Sequence, residues 1–111
     1  MKNTTIRSGL VDSINELTKV LHATSDIDQK FQLRLDIKSL FKSLDKVIAT
    51  ELIAGTPAFE DALQSLNLLS VEAKEATDDI NKVEALISKT SDVIEKIEDV
   101  VKGISGALNI T

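Results

Sequence analysis

Cysteine is absent from this chain. Its absence excludes a disulfide framework, a thiolate zinc site and a thiol nucleophile, and it leaves the redox compartment open. Tryptophan and tyrosine are absent too, so neither offers nucleic acid a stacking surface. The one histidine, His22, has no cysteine partner and belongs to no Asp-His-Ser arrangement, which leaves it as a helix-end residue. The Glu-x-x-His pattern of helical di-metal sites is missing, as are a Gly-rich phosphate loop and an EF-hand pattern. No apolar run approaches the ~20 residues that span a bilayer, and the Met-Lys-Asn-Thr-Thr start lacks the apolar stretch of a signal peptide. These gaps point to a cytoplasmic, non-enzymatic protein with no cofactor and no metal.

What the chain does contain is helix-forming material: Leu, Ile, Val, Ala, Lys, Glu, Asp and Ser, with four glycines and one proline in 111 residues. That length suits a single domain, 1–111, and is too short for two independent cores. The net charge of −5 disfavours general phosphate-backbone binding, so nucleic acid is not an expected partner. The charge is uneven. Residues 1–54 carry eight Lys and Arg against seven Asp and Glu, whereas residues 55–111 carry five against eleven, so the halves attract each other.

Across 59–108 one apolar rhythm persists. With Phe59 at a, the a positions are Phe59, Leu66, Ala73, Ile80, Ile87, Ile94, Val101 and Leu108. The d positions are Ala62, Leu69, Ala76, Val83, Thr90, Ile97 and Ile104, of which Thr90 alone is polar. A strict seven-residue repeat keeps one seam on a partner where an undistorted helix would drift by ~20° per heptad. Upstream, Ile6, Leu10, Ile14, Leu17 and Leu21 form a helical stripe, and Thr24-Ser25-Asp26-Ile27-Asp28 brings capping residues, with Ser25 and Asp28 resembling a capping box. Gly55-Thr56-Pro57 ends one helix and starts another. The predicted helices are about 4–23, 26–54 and 57–105.

A chain doubling back at Gly55-Thr56 sets Leu44 level with Leu66, Phe41 with Leu69 and Phe31 with Ile80. The fold expected on this register is all-α, a long antiparallel coiled-coil-like hairpin with rods of ~75 Å. A break near Ser25 would turn it into a three-helix bundle. The compact alternative, a three- or four-helix bundle, has a further break at Thr77-Asp78-Asp79.

Two surfaces stand out for function. Leu86, Val93, Val100 and Ala107 make position g apolar as well, wider than a two-helix seam can bury, which predicts self-association as a four-helix dimer of hairpins. Lys30, Arg34, Lys38, Lys42 and Lys46 form a basic ridge on the second helix, open to an acidic partner or an anionic surface unless Glu84 and Asp78 pair with it. The carboxylates among 72–79 and 92–99 fall on outward positions and read as solubilising charge, helped by Asp78–Lys82, Asp92–Lys96 and Glu98–Lys102 pairs. The sequence therefore points to a helical protein–protein interaction or oligomerisation module. The alternative is a membrane-surface helical protein using the g face and the apolar tail at 100–108, and a small-ligand-binding bundle ranks below both.

Overall fold

A computed structural model describes residues 5–49 and 57–110, with side chains for 5–48 and 57–102. The described elements are all helical: α1 (Ile6–Ala23), α2 (Ile27–Ala49), α3 (Pro57–Asp78), a 3-10 turn (Ile80–Lys82) and α4 (Val83–Ile110). The longest dimension is 50 Å, well short of the ~75 Å rod that a fifty-residue helix would need. The chain is thus a compact helical bundle, and the continuous 57–105 helix of the hairpin reading is replaced by α3 and α4.

Local capping chemistry sets both breaks. Thr24 leaves the helical conformation with φ −87° and ψ 134°, and its hydroxyl donates to the Val20 carbonyl at 2.7 Å. Asp26, rather than Ser25, caps the next helix, accepting from the Gln29 N–H at 2.9 Å. Asp79 does the same at the second break: it is extended, with φ −139° and ψ 102°, and its carboxylate accepts from the Asn81 N–H at 3.0 Å. Ile80, the a residue of the predicted seam, is left 52% exposed there. An apolar rhythm can run unbroken through a point where the helix does not, because periodicity reports which residues face inward and not whether the backbone bends. Residues 50–56, including Gly55 and Thr56, lie outside the described residues; Pro57 opens α3.

Four helices pack as a square. α1 and α2 are antiparallel, as are α3 and α4, where Lys96 reaches Asp61 at 3.4 Å and Lys82 reaches Glu75 at 3.3 Å. α1 and α3 lie side by side and parallel: Gly9 sits against Leu66, Ser13 donates to the Leu66 carbonyl at 3.4 Å, Ser70 donates to Asp12, and Ala23 and Ala76 line one recess at the far end. α2 and α4 are also parallel neighbours, linked by Lys46 and Glu98 at 4.0 Å. Helices α2 and α3 therefore stand on a diagonal. The register that faced Phe41 with Leu69 and Phe31 with Ile80 does not form: Leu69 is fully buried, while Phe31, Phe41 and Ile80 are exposed.

Small side chains permit the close α1–α3 approach. A Cβ on Gly9 would stand 3.2 Å from the Cβ and Cδ1 of Leu66, tighter than ordinary contact. Gly9→Val should therefore force the two helices apart and destabilise the fold by about 1–3 kcal/mol, measurable by urea unfolding. A midpoint equal to that of the parent chain would show that this contact yields freely.

The core runs from Ile6, Leu10 and Leu17 of α1 through Leu33 and Leu40 of α2 and Leu66 and Leu69 of α3 to Val83, Leu86 and Ile97 of α4. α3 keeps the predicted seam, with Phe59, Ala62, Leu66, Leu69, Ala73 and Ala76 all buried. Past the break the seam rotates. On α4 the buried residues are Val83, Leu86, Thr90, Val93, Ile97 and Val100, whereas Ile87, Ile94 and Val101 are half-buried. A helix wedged against two neighbours, α2 and α3, needs a wider apolar face than one coiled around a single partner.

Candidate interaction surface

The structure places the predicted g face inside the bundle. Leu86, Val93 and Val100 are buried in the core, covered by helices of the same chain, so they offer nothing to a second molecule. The side chain of Ala107 lies outside the described residues. The four-helix packing expected of a dimer of hairpins is supplied within one chain.

The basic ridge, in contrast, lies on the surface. Arg34, Lys38, Lys42 and Lys46 are exposed and Lys30 is half-buried. Among the described residues, Lys46 has an ion-pair partner, Glu98, and neither Glu84 nor Asp78 pairs with the ridge. The expected Asp78–Lys82 pair is lost because the helix breaks between those residues, and Lys82 meets Glu75 instead. Lys96 likewise reaches across to Asp61 rather than along α4 to Asp92.

Sequence reasoning missed what lies beside those bases. The core side of α2 is built by Leu33, Asp36, Leu40, Ser43 and Val47. Its outward side carries Ile27, 81% exposed, Phe31, 58% exposed, and Phe41, 51% exposed, with Leu35 and Ile48 also exposed. Thus two of the chain's three phenylalanines face solvent on the helix that holds the basic ridge. Ile27, Phe31, Arg34, Lys38, Phe41, Asp45 and Ile48 follow one another at four- and three-residue steps, which makes them a single outward line. The signal in the sequence is an excess of apolar positions on α2 over what one helical face can hold.

Helix α3 has a line of the opposite character. Asp61, Gln64, Leu68, Val71, Glu75 and Asp78 are all exposed and fall at three- and four-residue steps. Leu68 and Val71 are its exposed apolar pair. Counting side chains, α2 carries five bases against three acids, and α3 one base against five acids. The described side chains of α4 include no large exposed apolar residue.

The remaining polar features are modest. Thr90 is buried and donates to its own helix at Leu86, 2.8 Å away, which satisfies it without a partner across the core. Asp36 is different. It is 7% exposed, its Oδ2 has no hydrogen-bond partner among the described residues, and burial raises its carboxyl from 3.8 to about 6. His22 is exposed in the last turn of α1. Shallow recesses of about 330 Å³, between Glu72 and Lys89 on α3 and α4, and about 400 Å³, around Val11 on α1, are lined by side chains of both signs. Among the described residues no group of three or more His, Asp or Glu is placed to hold a metal ion, and no helix is long and apolar enough to cross a membrane. No protein-family model, curated protein or solved structure matches the chain.

Proposed function

We propose that the protein is a non-enzymatic helical interaction module that self-associates, and that the outward line of α2 is its recognition surface. The observation that carries this reading is the concentration of exposed Ile27, Phe31, Leu35, Phe41 and Ile48 on one helix, interleaved with Arg34, Lys38 and Lys42. Exposed apolar residues scattered singly are normal, whereas a contiguous apolar patch with a polar rim marks a binding site. Aromatic and arginine side chains are also those most enriched where binding energy concentrates.

A membrane-surface role is the second reading, supported by the same mixture of Phe, Ile and Lys, which suits the boundary of an anionic bilayer. One pair of measurements separates the readings. Phe31→Ser with Phe41→Ser should cost about 1–2 kcal/mol of stability per site and leave the chain folded, since about half of each side chain already faces water. Sedimentation velocity over a wide concentration range should show association in the parent chain and its loss in the double variant. A parent chain that stays monomeric throughout contradicts the module reading. Co-sedimentation of that monomer with phosphatidylserine vesicles would replace it with the membrane reading.

A further inference from the structure

Two lines of exposed apolar residues lie on helices of opposite charge, and those helices occupy opposite corners of the square. The line on α2 is basic, with Arg34, Lys38 and Lys42 unpaired among the described residues. The line on α3 is acidic and centred on Leu68 and Val71. α2 and α3 do not pack on each other, so their outward sides point away from one another. Neither line can be satisfied by the other within one chain.

Resting on the reading of α2 as a recognition surface, we infer that its partner is α3 of a second copy, so that copies join head to tail. Pairing α2 with α2 would bring together two surfaces of the same sign, each with Arg34, Lys38 and Lys42 against Asp45 alone on its outward line, and like charges brought face to face in an interface cost several kcal/mol. Pairing α2 with α3 sets opposite charges together and buries apolar side chains from both. The chain direction agrees. α2 and α3 run in opposite senses within one bundle, so a second copy in the same orientation presents its α3 antiparallel to the first copy's α2. With Lys38 opposite Glu75, an antiparallel register brings Arg34 to Asp78 and Phe41 to Val71. Glu75 already accepts from Lys82 at 3.3 Å, but both side chains are about half exposed, and such a surface pair contributes little that a second cation would disturb.

A contact made by different surfaces on the two copies leaves one of each surface free at the ends. Such contacts close into rings only if the rotation between copies allows it, and otherwise grow as open chains. Because the two surfaces point away from each other, a closed two-chain complex is excluded and growth with concentration is the expected behaviour. Screening should weaken it as salt rises.

The test exchanges charge between the two surfaces. In one variant Arg34→Glu and Lys38→Glu make α2 acidic; in the other Glu75→Lys and Asp78→Lys make α3 basic. All four positions are exposed, and circular dichroism with thermal melting confirms that each variant folds. Each variant alone should lose at least tenfold in association by sedimentation velocity, and an equal mixture should recover association to within about threefold of the parent, since every α2–α3 contact between unlike variants is again complementary and only contacts between like variants stay repulsive. If the parent associates but the mixture does not recover, or if the parent forms a closed dimer of fixed size, the α3 assignment is overturned while α2 remains a recognition surface. A parent chain that is monomeric at every concentration overturns both, whether or not it binds anionic vesicles.

Discussion

Leu86→Asp is expected to unfold the protein. Leu86 is 1% exposed and sits on the seam that α4 presents to α2 and α3, between Val83, Thr90 and Val93. A carboxylate introduced there is taken out of water, with Lys82 and Lys89 in the adjoining recess within reach as cations only if the side chain leaves the core, and a buried charge costs several kcal/mol, comparable to the ~5–15 kcal/mol that holds a domain of this size together. Leu86→Ala provides the graded version, with an expected loss of about 2–5 kcal/mol from lost transfer energy and the cavity left behind. Ile87→Ala, one residue on and only partly buried, should cost less. The ordering matters because an exposed g face would reverse it. Under that reading Leu86→Asp improves solubility and Ile87 is the sensitive position. Urea unfolding of the three variants decides between the two.

The second large effect concerns Asp36. Its carboxyl faces the core of α2 with one oxygen unpartnered, and no basic side chain among the described residues reaches it. Lys46 meets Glu98 across the α2–α4 contact, which sets Asp36 at about the height of Thr90, whose hydroxyl is committed to its own helix. Burial without compensation disfavours the charged form, so the folded chain holds this proton up to about pH 6 whereas the unfolded chain releases it near 3.8. Between those values the folded state binds the extra proton. Its stabilising effect is therefore present at low pH and lost as pH rises through about 6. At neutral pH the cost is about 1–3 kcal/mol. Asp36→Asn should thus be more stable than the parent at pH 7.5 and equal to it at pH 4, by chemical denaturation at both values. Equal stability at both pH values would mean that water or a neighbouring dipole already satisfies the carboxylate.

Much of the helix content was legible because it rests on local chemistry. The stripe Ile6, Leu10, Ile14, Leu17 is buried along α1 as its spacing demands, and Pro57 opens α3 as its missing N–H favours. The break near Ser25 was anticipated, although the capping residue is Asp26. The hairpin register failed for a physical reason. A heptad pattern matches itself under any shift of seven residues, so finding apolar partners at each level across a turn does not identify the neighbour. Which helices pack side by side is decided by where the breaks allow the chain to fold back, and the break at Asp79, which the sequence offered in the compact alternative at Thr77-Asp78-Asp79, lies within an unbroken apolar rhythm that favoured the hairpin instead.

The candidate surfaces were legible in part. Lys38 and Lys42 lie exposed where the four-residue spacing put them. The apolar surplus of the long C-terminal stretch was correctly noticed at Leu86, Val93 and Val100, but it belongs to the core, because α4 packs against two helices of its own chain. The exposed Phe31 and Phe41 were harder to place. A phenylalanine at helical spacing is more often buried than displayed, and only the square packing shows which side of α2 has no neighbour.

The central claim, that α2 carries the recognition surface, has a direct test made clean by the lack of native cysteine. Single Lys38→Cys, Glu75→Cys and Ser91→Cys variants present a thiol on the outward line of α2, on the outward line of α3 and at an exposed site on α4, respectively. Alkylation rates are measured as the protein is concentrated from micromolar to millimolar. The account predicts that the thiols at 38 and 75 become progressively protected while the thiol at 91 reacts at a constant rate. A thiol at 38 that stays as reactive as the one at 91 at every concentration would contradict it.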